Sequence, residues 1–257
     1  MSDIIEVATL AAREAGQYLM ECFGSSYAIR EKADRTFVTD ADTAAERIVV
    51  DHICGRFPTH GILGEEQGLS AGSSDYLWVV DPLDGTHNFM RGVRIFGVCI
   101  GIVRRNEYVG GVIYMPCDDE CYVAEKGCGA TKNGVRLRVS QKQLLAECSV
   151  SFDSVLREDV EIRCEALRRL ASTCFNMRMY GASSRILSYI AEGKLDVAVE
   201  FDDKPWDFAA GACLVQEAGG VITRQDGGPL TLEQSGYIAG NQRLHDEAVA
   251  LVRGIDG

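Results

Sequence analysis

Between Gly61 and Gly127 the chain passes through five short apolar runs, GILGEE, YLWVVD, FGVCIGIV, YVGGVIYM and CYVAEKG, each closed by turn-forming residues. Their β-branched and aromatic content reads as strands, and their close succession predicts an antiparallel sheet. KNGVRLRVS follows, with Asn133-Gly134 as a hairpin signal. Ahead of the strands, Ile4, Val7, Ala8, Ala11, Ala15, Tyr18, Leu19 and Cys22 recur at helical spacing over residues 3–23. REKADRTF reads as a loop. Thr39 then caps a second helix, with Asp42 three residues on, that runs to about Phe57. After about residue 140 strands and helices alternate. Residues 158–171 and 184–193 read as helices, LDVAVE as a strand, and WDFAAGACLVQEAGG as a helix ended by glycine. VIT, YIAG and a last helix from about His245 complete the chain. A sheet-rich half joined to an alternating half predicts a layered α/β (α+β) fold. No linker-like stretch separates them, so residues 1–257 are expected to form one unit, with halves at about 1–139 and 140–257.

Composition narrows the function classes. With 26 Lys plus Arg against 38 Asp plus Glu, the net charge is −12. That charge repels nucleic acid and anionic membrane, and no basic cluster opposes it. No apolar run is long enough for a membrane span, and the acidic N-terminus does not read as a signal peptide. A cytoplasmic protein is expected. The ten cysteines are scattered, mostly inside apolar segments, with no C-x-x-C and only four His to complete a metal site. They read as reduced core thiols, with a zinc or disulfide role for Cys117, Cys121 and Cys128 as the lesser alternative.

Three acidic clusters fall where strands end or helices begin: Gly64-Glu65-Glu66, Asp81-Pro82-Leu83-Asp84-Gly85-Thr86 and Trp206-Asp207. In the central one an apolar strand stops at Asp81, and Pro82, which has no N–H, is expected to end its pairing. Two carboxylates on such a turn, with a carbonyl between them, are ligands of the kind that hard cations such as Mg²⁺ take. Each cluster also has a plainer explanation: turn chemistry for D-x-x-D-G, a solvated loop for GEE, and a helix N-terminal charge for Asp207.

Taken together the clusters resemble the inositol monophosphatase family of Mg²⁺-dependent, lithium-sensitive phosphatases. The matching elements are the GEE segment, Trp78-Val79-Val80-Asp81-Pro82-Leu83-Asp84-Gly85-Thr86, Trp206-Asp207, and Val38-Thr39-Asp40-Ala41-Asp42 opening a helix. The resemblance implies an α-β-α-β-α sandwich, usually dimeric. It implies that Glu65, Asp81 and the Leu83 carbonyl hold one Mg²⁺, and that Asp81, Asp84 and Asp207 hold a second. Glu65 would also touch a third ion, and Mn²⁺ is a possible substitute. Thr86, paired with Asp42, would orient and deprotonate the attacking water, and the Gly85 and Thr86 N–H groups would receive the phosphate. The substrate would be a small phosphorylated polyol, sugar or related metabolite: inositol 1-phosphate first, with fructose 1,6-bisphosphate, histidinol phosphate or adenosine 3′,5′-bisphosphate as alternatives.

By the same resemblance Gly181 and Ser183 line the alcohol pocket with Asp84 and Asp207, and Glu200 accepts hydrogen bonds from substrate hydroxyls. Outside the resemblance, Glu200 reads equally well as a dimer or surface residue. Arg178 reads as a structural ion-pair residue and Lys32 as a solvated one. Three departures from the family bear on substrate: the acidic Asp202-Asp203-Lys204-Pro205 segment, Ser183-Ser184 in place of a small apolar pair, and Asp40, which adds a charge near Asp42. Two rival readings remain. Haloacid-dehalogenase phosphatases use D-x-D-G-T, one residue shorter, and the extra residue changes the face the second Asp occupies. A non-catalytic metal- or phosphate-binding module would leave Thr86 and Asp42 dispensable.

Overall fold

The apolar stripe of the first segment forms α1 (Asp3–Cys22), with Ile5, Ala8, Ala11, Ala12, Ala15 and Leu19 buried, in a computed structural model that describes residues 3–25, 29–31 and 37–255. The segment read as a loop overlaps a two-stranded antiparallel ribbon, β1 (Ile29–Glu31) and β2 (Phe37–Thr39). These strands are too short to show a periodicity. Lys32 lies outside the described residues. Thr39 caps α2 (Asp40–Arg56): its hydroxyl accepts from Ala41 N at 3.2 Å, and its N–H donates to Asp42 Oδ2 at 2.8 Å.

The five apolar runs all become strands of one sheet. Its members are β3 (Gly61–Gly64), β4 (Gly68–Ser70), β5 (Tyr76–Asp84), β6 (Gly97–Arg104), β7 (Glu107–Met115), β8 (Glu120–Glu125), β9 (Gly129–Lys132) and β10 (Val135–Arg136). They lie in the order β10-β9-β8-β7-β6-β5-β3-β4. The sheet is not wholly antiparallel, because β3 and β5 run parallel. Pro82 does not end β5 either. The strand continues to Asp84, and the pairing with β6 shifts register between Asp81 and Asp84. The residue with no donor sits where the ladder is already interrupted, a position sheets tolerate. A short helix, α3 (Thr86–Met90), follows.

The second half holds β11 (Ser149–Phe152), α4 (Val160–Ala171), β12 (Asn176–Arg178), α5 (Ser183–Ala191), β13 (Val197–Glu200), α6 (Pro205–Glu217), β14 (Val221–Thr223), β15 (Tyr237–Gly240) and α7 (Gln242–Val252). Its five strands run β12-β11-β13-β15-β14. The last helix begins ahead of His245, because the Asn241 side chain accepts from Leu244 N at 3.0 Å and caps it.

Three separate apolar cores stack the layers. One lies between α1, α2 and the large sheet. A second fills the space from the other face of that sheet through α5 and α6 to the small sheet. The third lies between the small sheet and the pair α4 and α7. The result is the α-β-α-β-α sandwich. Glycines in FGVCIGIV and YVGGVIYM set its central spacing. A Cβ at Gly101 would meet Ala209, and one at Gly111 would run into the Ala210 carbonyl. Only glycine lets α6 lie this close to β6 and β7, and that approach fixes where the N-terminus of α6 delivers Asp207. The thiols are all free, but Cys54, Cys128 and Cys164 are exposed rather than in the core. No helix among the described residues is long and apolar enough to cross a membrane.

Candidate active site

Residues three apart on a regular strand point to opposite faces. At the end of β5 the shift in register alters this, and the Asp81 and Asp84 carboxylates come together. Asp207, in the first turn of α6, joins them, and one oxygen from each lies within 4.8 Å of the others. Asp81 is 1% and Asp84 7% exposed. The extra residue that separates this turn from D-x-D-G-T is therefore absorbed by the bulge.

Each carboxylate is aimed by backbone N–H groups. Asp81 Oδ1 accepts from Leu83 N at 2.9 Å. Asp84 accepts from Ser183 N at 3.1 Å, from Ser184 N at 2.6 Å and from the Ser184 hydroxyl, and so holds the N-terminus of α5. Asp207 Oδ2 accepts from Lys204 N at 2.6 Å. Glu65 follows β3, with its N–H on the Val80 carbonyl at 3.1 Å. It stands outside the group of three, though its charge reaches Asp81 and Asp207.

Gly85 has φ 87°, a left-handed turn that residues with a Cβ resist, and it places Thr86 at the start of α3. The Thr86 hydroxyl lies 3.1 Å from Asp42 Oδ1 and 3.0 Å from the Leu83 carbonyl. Asp42 is fully buried, and its other oxygen accepts from Thr39 N and from Thr39 Oγ1 at 2.5 Å. One carboxylate thus closes the capping box and faces Thr86.

The electrostatics are those of negative charges crowded out of water. Burial raises Asp81 and Asp207 well above the usual carboxylate range, with repulsion from neighbouring acids added. Burial lifts Asp84 to about 6 against the hydrogen bonds from Ser183 and Ser184. Burial likewise raises Asp42, opposed by Thr39. Among the described residues no Lys or Arg forms an ion pair with Asp81, Asp84 or Asp207. Oxygen-only donors of this kind, two of them buried and the third partly so, fit a hard divalent ion such as Mg²⁺.

Beside this group lies a second set of polar residues. Glu200, at the end of β13, is 4% exposed, which removes the surface reading of that residue. Ser183 is buried and Gly181 exposed, with φ 64°. Asn88 joins the α3 turn to this wall, donating to the carbonyls of Ile95 and Tyr180 at 2.9 Å. Arg178 is not the structural ion-pair residue expected. It is exposed, its Nη1 donates to the neighbouring Met177 carbonyl, and among the described residues it has no carboxylate partner. Arg185, one turn into α5, takes that role with Glu120 and Asp118.

Three contributors escaped the sequence reading, Asn88, Tyr237 and Glu46, and so did the hold of Ser184 on Asp84. Glu46, four residues after Asp42 on α2, is fully buried, and its Oε1 faces the Glu66 and Gln67 N–H groups at 3.4 Å. The helical spacing from Asp42 was the available signal. Ser184 and Tyr237 gave none, since both act across long separations in the chain.

A family model described as the inositol monophosphatase family matches residues 1–256. A fructose-1,6-bisphosphatase/inositol-1-monophosphatase of Aquifex aeolicus is 39% identical over 246 residues, covering 94% of this chain and 92% of that one. The Nus factor SuhB of Pseudomonas aeruginosa is 36% identical, covering 95% and 93%. Among solved structures, the extragenic suppressor protein suhB of Bartonella henselae superposes with a TM-score of 0.94 at 32% identity, covering 98% of this chain and 99% of that one.

Proposed function

Because the chain belongs to the inositol monophosphatase family, and is thereby a phosphoric monoester hydrolase, we propose that it hydrolyses a small phosphate monoester by direct attack of water, with Mg²⁺, or Mn²⁺ in its place, as cofactor. Glu65, Asp81, the Leu83 carbonyl, Asp84 and Asp207 would hold two to three ions. The observation that carries this reading is the trio of carboxylates, Asp81 and Asp84 buried and Asp207 partly so, that lacks a cation of its own among the described residues. Mg²⁺, when bound, supplies the charge that lets a phosphate dianion meet these acids and makes the attacking water more acidic.

The chain's own residues do the rest. Thr86 Oγ1 orients the water and takes a proton from it, while Asp42 Oδ1, 3.1 Å away, receives the Thr86 proton. Thr39 holds Asp42 in place for this transfer. The Gly85 and Thr86 N–H groups receive the phosphate, and Asp84 and Asp207 stand at its edge. Gly181, Ser183 and Glu200 form the side that meets the alcohol, and their acceptors favour an alcohol rich in hydrogen-bond donors, with inositol 1-phosphate as the reference member. Lithium sensitivity, a homodimer of the 28.0 kDa chain and a cytoplasmic setting belong to the same reading.

Phosphate release from inositol 1-phosphate, fructose 1,6-bisphosphate, histidinol phosphate and adenosine 3′,5′-bisphosphate tests it, each with Mg²⁺, with Mg²⁺ plus Li⁺, and with EDTA. Release that needs Mg²⁺ and falls with Li⁺ is expected. Release that persists in EDTA would exclude the metal-assisted route. Thr86→Val is expected to lower kcat at least ~10²-fold, a loss typical of a missing general base, with the Mg²⁺ midpoint little changed. Full activity in that variant would favour a binding module that has only kept the fold.

A further inference from the structure

Glu46 is a fully buried acid that the metal and water assignments leave without a task. It lies one helical turn after Asp42 on α2, so the two residues share a face of that helix. Asp42 meets the Thr86 hydroxyl. Glu46 meets the turn Glu65-Glu66-Gln67, its Oε1 accepting from Glu66 N and Gln67 N, each at 3.4 Å. Its Oε2 is buried with no hydrogen-bond partner among the described residues. A hairpin turn can give its N–H groups to water. An acid buried to receive them, with one oxygen unpartnered, carries a desolvation cost instead. That cost calls for a purpose beyond closing the turn.

The position of the turn supplies one. It is the three-residue connection between β3 and β4, closed by the pair Gly64 and Gly68. On one side the Glu65 N–H is fixed to the Val80 carbonyl, next to Asp81. On the other side stands β4, only three residues long, at the edge of the sheet and with Leu69 66% exposed. Packing on that side does little to hold the turn, and Glu46 anchors it from within. Gly64 is shaped around this anchor. A Cβ there would run into the Glu46 carboxylate and would meet no other residue as closely. Gly64 is not in the left-handed region, so room for Glu46 is what the glycine provides.

We propose that Glu46 is a positioning residue for Glu65. It pins the turn from behind so that the Glu65 carboxylate is presented to the cation, and α2 thereby sets the metal end and the water end of the site from one rigid face. The proposal rests on the metal-dependent phosphatase reading and adds to it a residue that touches neither metal nor substrate.

Mg²⁺ alone is the probe. Metal-stripped protein is titrated with Mg²⁺ and followed by its melting temperature, in the wild-type chain, Glu46→Ala, Glu65→Gln and the double variant. Glu46→Ala is expected to raise the Mg²⁺ midpoint at least ~10-fold, the usual scale for losing a residue that orients a ligand. Glu46→Gln keeps an oxygen acceptor for the two N–H groups and should bring the midpoint back to within about threefold of wild type. In the Glu65→Gln background Glu46→Ala should add less than about twofold, since residues that act through one another are not additive. Gly64→Ala, which displaces the Glu46 carboxylate without removing it, should shift the midpoint in the same direction. In the metal-free wild type the Glu66 and Gln67 amides should exchange slowly with solvent. A Glu46→Ala protein that melts lower but keeps the wild-type Mg²⁺ midpoint, or one whose midpoint shifts equally with and without Glu65, would overturn the proposal. If Glu46→Ala does not fold, an unshifted midpoint in Gly64→Ala or fast exchange of both amides in the wild type overturns it. In each of these cases Mg²⁺ still stabilises the wild-type chain and the metal site stands, whereas a wild-type melting temperature that ignores Mg²⁺ would remove both.

Discussion

The molecule gathers carboxylates in two places and treats them in opposite ways. In one, Arg185, its side chain 3% exposed, reaches Glu120 at 2.7 Å and Asp118 at 2.6 Å, and Lys132 bridges Glu120 and Glu192 at 3.0 and 2.6 Å. Burial works against the charge on Glu120, yet Arg185, Tyr122 and Lys132 still hold its carboxyl down to about 2. In the other group, Asp81, Asp84 and Asp207 face one another with no cation paired to them among the described residues, and burial drives all three up. The first is complete within the chain. The second is not, and on the function proposed above that contrast separates carboxylates that hold the fold from carboxylates kept available for a ligand.

The largest effect expected from this contrast is on stability. Arg185→Met leaves Glu120 and Asp118, whose side chains are 20% and 49% exposed, without their guanidinium and should cost about 3 kcal/mol, the scale of lost hydrogen bonds between charged groups. Urea unfolding in saturating Mg²⁺ measures it. A loss below ~1 kcal/mol, the range of surface pairs, would erase the distinction.

Next comes Asp207→Asn, which should cut Mg²⁺-dependent phosphate release at least ~10²-fold, the scale of a lost electrostatic contact to the transition state. The same change should raise the melting temperature of the metal-free protein, because one of the repelling charges is gone. Near-normal turnover at limiting Mg²⁺ would contradict the assignment.

These two groups were not equally readable beforehand. Asp81, Asp84, Asp207 and Glu65 each have a plainer explanation alone and became readable only jointly, as local motifs in the order that the family resemblance supplies. The layered fold was readable for the same kind of reason, since short apolar runs and helical stripes are local. Arg185 was hidden by the opposite circumstance. Which arginine of RMYGASSR is buried depends on the face α5 turns to β8, and Arg178 had equal claim in sequence. Pro82 misled because its effect depends on the β6 partner: with the register shift toward Gly97, the missing N–H disturbs nothing. The Ser184 clamp on Asp84 joins residues 100 apart in the chain, and no short pattern encodes it.

A smaller effect lies in pH. Asp84 sits at about 6 in the fold against 3.8 ordinarily, so between those values the native state binds more protons than the unfolded one. Stability of the metal-free protein should therefore fall as pH rises from about 4 to 7, the sign expected for an acid raised by folding. Glu120 has the opposite sign, but its contribution is lost only as pH drops toward about 2, outside this window. Thermal scans of metal-stripped protein at pH 5 and 7.5 should give the lower melting temperature at 7.5. A higher one at 7.5 would mean that the trio is not carrying uncompensated charge.

The most direct test of the account is a Mg²⁺ titration of thermal stability at pH 7.5 on metal-stripped protein. If the trio is a metal site, Mg²⁺ at 100 times its Kd should stabilise the fold by ~2.7 kcal/mol, and Asp207→Asn should show less. A melting temperature indifferent to Mg²⁺ in the wild-type chain would contradict the claim that these carboxylates await a cation.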